Sequence, residues 1–178
     1  CRDIDRIVVV TAREDFSLCR DTVFPAAACS KPIFLAEGGA HRTDSVFNGI
    51  EAAGPATGIV VIHDGMRPLI RPAQIGEVVA GAKKNGACIL AAPVFDSLKK
   101  VSAAGRVMQT VDRAGLWTAQ TPQAFYYSLI RDAHVSARQS GASATDDAQL
   151  LERLDLPVQI VSGDGFNLKI TAPEDLKM

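Results

Sequence analysis

The sequence predicts one α/β domain, residues 1–178, built on a mostly parallel sheet. Short β-branched apolar runs recur along the chain, and the stretches between them carry helix spacing and helix punctuation. No internal repeat, low-complexity tract or linker divides the 178 residues, and a 47% hydrophobic content suffices for one core.

Each element follows from its own residues. "RIVVVTA" (6–12) and "KPIFLAE" (31–37) read as buried strands, with a weakly patterned helix, "REDFSLCRDTVF", between them. In "TDSVFNGIEAAG" (43–54), Val46, Ile50 and Ala53 share one helical face; Thr43 or Asp44 is the expected N-cap and Gly54 the stop. "GIVVIHDGMRPLI" (58–70) begins as a strand. "RPAQIGEVVAGAKKNG" (71–86) is a helix opened by Pro72 and closed by Gly86, and "ACILAAPV" (87–94) is the next strand. Strands spaced by helices imply βαβ units with right-handed crossovers. Residues 97–112 break this order: two short alternating runs flank Ala104-Gly105, the signal of a hairpin, which must project as an arm. Helices near 125–139 and 145–153 follow, then strands "PVQIVSG" and "FNLKI". The chain opens on Cys1 and stops just after a helix-start pattern, "TAPEDLKM", so a full-length protein is expected to extend past both ends.

Lys plus Arg is 19 and Asp plus Glu is 20, a net charge of −1, which argues against nucleic acid or an anionic membrane as partner. Cys1, Cys19, Cys29 and Cys88 show no C-x-x-C spacing, and His41, His63 and His134 add no metal cluster to them. Reduced thiols in a cytoplasmic protein are the economical reading. No apolar run is long enough to span a bilayer.

The chemistry gathers where strands end. In open α/β sheets ligands bind beyond the carboxyl ends of the strands. Asp64 and Arg67 lie at such an end, an aspartate suited to a ribose hydroxyl or a metal-bound phosphate and an arginine suited to bidentate phosphate contact. Alone, that pair is more often a loop cap. "EGGAHRTDSV" adds Gly38-Gly39 ahead of a helix N-terminus, a place where backbone N–H groups can approach an anion or a base edge. It is not a P-loop. "TVDRAGLWTAQTPQAF" surrounds the only tryptophan, Trp117, which reads as core. In "ATDDAQLLE", Thr145 is the expected N-cap, with Asp146 and Asp147 solvated in the first turn. Lys169 is either solvent-facing or aimed into the cleft.

Six segments occur in order: "GGAHRTDSV", "VIHDGMRPLI", "AAPVFDSLKK", "TVDRAGLWTAQTPQAF", "ATDDAQLLE" and "NLKITAPEDL". Together they resemble the 2-C-methyl-D-erythritol 4-phosphate cytidylyltransferase family, from about residue 4 to the last residue. The resemblance implies a Rossmann-like nucleotide-diphospho-sugar transferase fold whose β-arm, 97–112, joins a homodimer. It implies cytidylyl transfer from CTP to 2-C-methyl-D-erythritol 4-phosphate in non-mevalonate isoprenoid synthesis, with Mg²⁺ and release of pyrophosphate. Carried over by motif, Gly38, Gly39, Ala40, Ser45 and Gly65 line the cytidine site, and Asp64 stands between ribose, metal and acceptor. Arg67, Ser97, Arg113, Thr121 and Thr145 hold the sugar phosphate, Ser97 and Arg113 reaching over from the partner's arm. Lys169 meets acceptor and triphosphate, and Thr171 joins the substrate-binding set.

Three departures qualify the resemblance. Ser97 replaces the usual Thr, and Gly65-Met66 replaces a commoner small-residue pair. The family's N-terminal strand and Gly-rich loop have no counterpart in "CRDIDRIVVV", so impaired turnover is expected of residues 1–178. Two alternatives stay open: a ribitol 5-phosphate cytidylyltransferase, and a truncated, non-catalytic dimeric binding protein.

Overall fold

A computed structural model describes residues 1–177. Its strands are β1 Ile7–Thr11, β2 Ile33–Glu37, β3 Ile59–Ile62, β4 Ala87–Pro93, β5 Leu98–Val101, β6 Val107–Val111, β7 Trp117–Tyr126 and β8 Gln159–Ser162. The helices are the single turns α1 Phe16–Leu18 and α2 Phe24–Ala26, joined by a π turn, then α3 Arg42–Ala53, α4 Pro72–Asn85, α5 Tyr127–Ser140 and α6 Ala148–Glu152. Among the described residues no helix is long and apolar enough to cross a membrane.

The main sheet runs β3-β7-β4-β8. β4 and β8 are parallel, and β7 alone runs against its neighbours β3 and β4. A separate parallel pair joins β1 to β2, with α3 packed on both strands. Among the described residues β1 and β3 each keep one edge without a strand partner. β5 and β6 form a two-stranded antiparallel ribbon apart from both sheets.

Alternation along β4 and β7 explains the layering. Ala87 and Ile89 of β4 and Phe125 of β7 face one way, toward Ile50 of α3, Ile130 of α5 and Leu150 and Leu151 of α6. Cys88, Leu90 and Ala124 face the other way, toward Val78 and Ala82 of α4. Both faces of the strand are therefore covered, which is why "ACILAA" is apolar without a break. Gly81 lets α4 lie this close: a Cβ there would sit 2.4 Å from the Cys88 sulfur.

Several expectations change. The stretch 117–126 is a strand, so α5 starts at Tyr127 rather than near 125. Its first residue, Trp117, is 41% exposed at the sheet's end and is not core. "FNLKI" forms no strand; it is a loop pinned by the Ile170 N–H donating to the Met66 carbonyl at 2.8 Å. The N-cap of α3 is His41, two positions ahead of Thr43 and three ahead of Asp44. Thr145 is not the cap of α6: Asp147 occupies that position, and the Asp146 carboxylate accepts the Gln149 N–H at 3.0 Å. Nor is Asp147 solvated, since it is fully buried.

Candidate active site

β3 delivers its chain into the turn 63–68, closed by the Arg67 N–H donating to the Asp64 carbonyl at 3.0 Å. The Asp64 N–H donates to Thr121 Oγ1 on β7 at 3.0 Å. His63 bridges the same groups, with Nε2 3.0 Å from the Arg67 carbonyl and Nδ1 3.1 Å from Thr121 Oγ1. A carbonyl only accepts, so Nε2 carries the ring proton and Nδ1 of the neutral ring accepts from the Thr121 hydroxyl. Burial lowers the His63 pKa, the hydrogen bonds and Asp64 opposing it in part, which keeps that ring neutral at pH 7. In this arrangement Thr121 spends both its proton and one lone pair on the turn that carries Asp64.

Around the Asp64 carboxylate stand three cations from three parts of the chain. Lys169 Nζ lies 2.8 Å from Oδ2, Arg42 Nη2 3.5 Å from Oδ1, and Arg67 Nε 4.0 Å from Oδ2. Partial burial works to raise the Asp64 pKa. The Lys169 hydrogen bond and the charges of Arg42, Lys169 and Arg67 outweigh it and hold the carboxyl below its ordinary value. Arg67 is aimed by its Nη1, which donates to the carbonyl of buried Asn167 at 2.7 Å. Asn167 in turn donates to the Gln120 side chain and the Thr121 carbonyl. Even so, Arg42 Nη1 and Arg67 Nε are buried donors, and Asn167 Oδ1 a buried acceptor, that find no hydrogen-bond partner among the described residues. Donors exceed acceptors here, the condition of a site built for an anion.

The glycine loop lies between β2 and α3. Gly39 N–H donates to Ser45 Oγ at 3.0 Å, and Ser45 Oγ donates back to the His41 carbonyl at 3.2 Å. A Cβ on Gly39 would fall 2.2 Å from the Asp44 Cβ and 3.1 Å from its backbone, so the loop can close on α3 only with glycine there. A hollow of about 340 Å³ opens beside it, lined among others by Thr11, Glu37, Gly38, Gly39 and Ser45. A larger hollow of about 490 Å³, between α3 and α5, shares no residue with either cluster. Gly65 has open space where a side chain would go.

Of the residues expected from the sequence, Asp64, Arg67, Thr121 and Lys169 come together, and Gly38, Gly39 and Ala40 form the loop that Ser45 of α3 holds. Thr145 is exposed on the approach to α6. The Thr171 hydroxyl and N–H are taken by Asp175, whose pKa these bonds lower. Ser97 and Arg113 flank the ribbon and make no ion pair or side-chain hydrogen bond with the Asp64 cluster among the described residues. Arg42, His63, Asn167 and Asp147 were not foreseen as site residues. The only signal for Arg42 is its place directly after Gly38-Gly39-Ala40-His41, which by itself names no role.

The profile of 2-C-methyl-D-erythritol 4-phosphate cytidylyltransferase matches residues 1–178. The chain belongs to this cytidylyltransferase family. A family enzyme of that name from Pelotomaculum thermopropionicum is 47% identical over 173 residues, spanning 97% of this chain and 73% of the relative. One from Syntrophotalea carbinolica is 48% identical over 174 residues, spanning 97% and 74%. The solved cytidylyltransferase structures agree in fold. The 4-diphosphocytidyl-2C-methyl-D-erythritol synthase of Anaerococcus prevotii superposes with a TM-score of 0.87 at 31% identity, covering 98% of this chain and 76% of that one. The Thermus thermophilus cytidylyltransferase gives 0.82 at 32% identity, covering 99% and 80%. The Rossmann-like nucleotidyltransferase architecture, mostly parallel apart from β7, is the cytidylyltransferase one.

Proposed function

We infer that this protein transfers the cytidylyl group of CTP to 2-C-methyl-D-erythritol 4-phosphate and releases pyrophosphate, a step of non-mevalonate isoprenoid synthesis. The observation that carries the reading is the convergence of Lys169, Arg42 and Arg67 on one carboxylate, with two guanidinium donors still unpartnered. An oxygen of the acceptor phosphate attacks the α-phosphorus of CTP; a new P–O bond forms as the bond to pyrophosphate breaks. Two anions must approach in line, so positioning and cationic screening do the work and no covalent nucleophile is needed. Lys169 and Arg67 are placed to draw the acceptor phosphate toward Asp64. Gly38, Gly39, Ala40, Ser45 and Gly65 are assigned to the nucleotide, and Thr145 and Thr171 to the acceptor side, as proposals.

Mg²⁺ is proposed with them. Among the described residues no group of three His, Cys, Asp or Glu side chains forms a cage, and Asp64 is the carboxylate at the cluster. One carboxylate completed by substrate phosphates suits Mg²⁺, which when bound adds charge screening between the phosphates. A cytoplasmic setting, with all four cysteines as free thiols, belongs to the same proposal.

The ribbon β5-β6 is proposed as a dimer arm. Val101, Val107 and Met108 are all more than half exposed on it, and among the described residues Ser97 and Arg113 at its base make no ion pair or side-chain hydrogen bond with the Asp64 cluster of their own chain. Sedimentation of the wild type is expected to give twice the chain mass and that of Met108→Glu the single mass. A monomeric wild type would remove the arm's role.

The reaction is tested with the protein expressed from its complete reading frame, CTP and Mg²⁺, following pyrophosphate. Release with methylerythritol phosphate and not with ribitol 5-phosphate is expected. Release with neither acceptor would end the enzymatic reading.

A further inference from the structure

Asp147 is fully buried, and both of its oxygens are occupied. Oδ1 lies 3.1 Å from Nε2 of His134, itself 1% exposed on α5, and Oδ2 lies 2.7 Å from Nη2 of Arg42 at the start of α3. That same Nη2 lies 3.5 Å from Asp64 Oδ1. Taking a carboxylate wholly out of water costs several kcal/mol before its partners offset it, so a buried Asp needs a reason.

We propose that Arg42 is a positioning residue for cytidylyl transfer, anchored by the buried Asp147–His134 pair so that it fixes the orientation of the Asp64 carboxylate. The proposal rests on the reading of Asp64 given above.

A clamp between helices would not need this arrangement. α6 is already tied to β7 through Gln123, whose Oε1 accepts the Ala148 N–H at 3.1 Å and whose Nε2 donates to Asp146 at 2.9 Å. The Asp147 side chain adds no bond to the sheet; one oxygen meets His134 of α5 and the other leads through Arg42 to the site. The distances also divide the labour. The close contact at Asp147 holds the guanidinium, and the longer one at Asp64 orients Oδ1 without taking it up, while Lys169 faces Oδ2. His134 is steadied in turn. Its ring lies 6.2 Å from that of Phe47 on α3, and the Arg138 guanidinium stacks over the Phe47 ring, 4.5 Å from its centroid. Burial works to lower the Arg42 pKa and Asp147 and Asp64 reverse it, so the guanidinium is charged throughout.

Asp147→Asn keeps the shape and removes the charge; Arg42→Lys keeps the charge and removes the fork. Both are expected to lower kcat by about 10- to 100-fold, the usual loss when a supporting hydrogen bond is removed. Neither change removes a cation from the cluster, so KM for neither substrate should rise by more than about threefold. A second readout needs no turnover: the guanidinium N–H signals of Arg42 in ¹⁵N spectra should be exchange-protected in the wild type and lost in Asp147→Asn. Asp147→Asn with kcat and the Arg42 signals unchanged, and only a lower melting temperature, would reduce the pair to a helix clamp and overturn the proposal. Protected Arg42 signals in a wild type that transfers no cytidylyl group would uphold the anchor and overturn the functional reading instead.

Discussion

Replacing Asp64 by Ala should cut pyrophosphate release by about three orders of magnitude while tightening the grip on a bare anion. Removal of a preorganised charged group at the reacting centre commonly costs ~10²–10³ in kcat. Asp64 is the group on which all three cations converge, so its loss belongs at the upper end. The second half of the expectation follows from counting charge. Arg42, Arg67 and Lys169 supply three positive charges and Asp64 and Asp147 two negative ones, leaving one positive; without Asp64 the excess is two. Methylerythritol phosphate titrated calorimetrically into Asp64→Ala should therefore bind about tenfold more tightly than to the wild type, although it no longer reacts. Unliganded, the same variant should melt lower, because three cations lose the carboxylate between them. Turnover within tenfold of wild type would mean that Asp64 caps the 63–68 turn and does nothing else.

How far the sequence exposes this site depends on whether a residue's task is local. Asp64 and Arg67 are three apart in one turn at the end of a strand, and Gly38 and Gly39 lead directly into a helix, so their geometry follows from neighbours in the chain. The Arg42–Asp147 contact joins residues 105 positions apart, and Arg67 is aimed by a carbonyl 100 positions away. Nothing near either residue announces its partner. Asp147 was misread for a physical reason as well: an aspartate in a first helical turn is normally solvated, and only the long-range guanidinium makes its burial tolerable. β7 was missed in a similar way. "WTAQTPQAFY" carries polar residues and a proline, which argue against a central strand. Gln120, Thr121 and Gln123 are nonetheless buried there, because their side chains find partners in the 163–167 loop, the Asp64 turn and the start of α6. "FNLKI" shows the converse: an alternating pattern that forms no strand, because Asn167 and Lys169 are turned toward the site.

Because β7 joins core to site, Phe125→Ala is expected to be the most damaging single change to stability. Phe125 is fully buried, pairs with Val60 of β3 on one side and Ala87 of β4 on the other, and packs on α3, α5 and α6. Truncating a buried phenylalanine costs about 3–5 kcal/mol, through lost transfer energy and the cavity left behind. Against a typical total of ~5–15 kcal/mol that is a large fraction, and at ~2–4 °C per kcal/mol it lowers the melting temperature by about 6–20 °C. Trp117 on the same strand is the comparison. It is the larger side chain, but it is 41% exposed at the far end beside Pro93, so Trp117→Ala should cost only about 1 kcal/mol. If the order of the two melting temperatures were reversed, β7 would not run through the middle of the sheet as described. Catalysis should separate the two variants as well. Thr121 lies four residues before Phe125 and holds the backbone of Asp64, so loosening the strand at Phe125 reaches the carboxylate through one hydrogen bond. Below its lowered melting temperature, Phe125→Ala should therefore lose kcat more than it loses affinity for CTP, whereas Trp117→Ala should change neither by more than a few-fold.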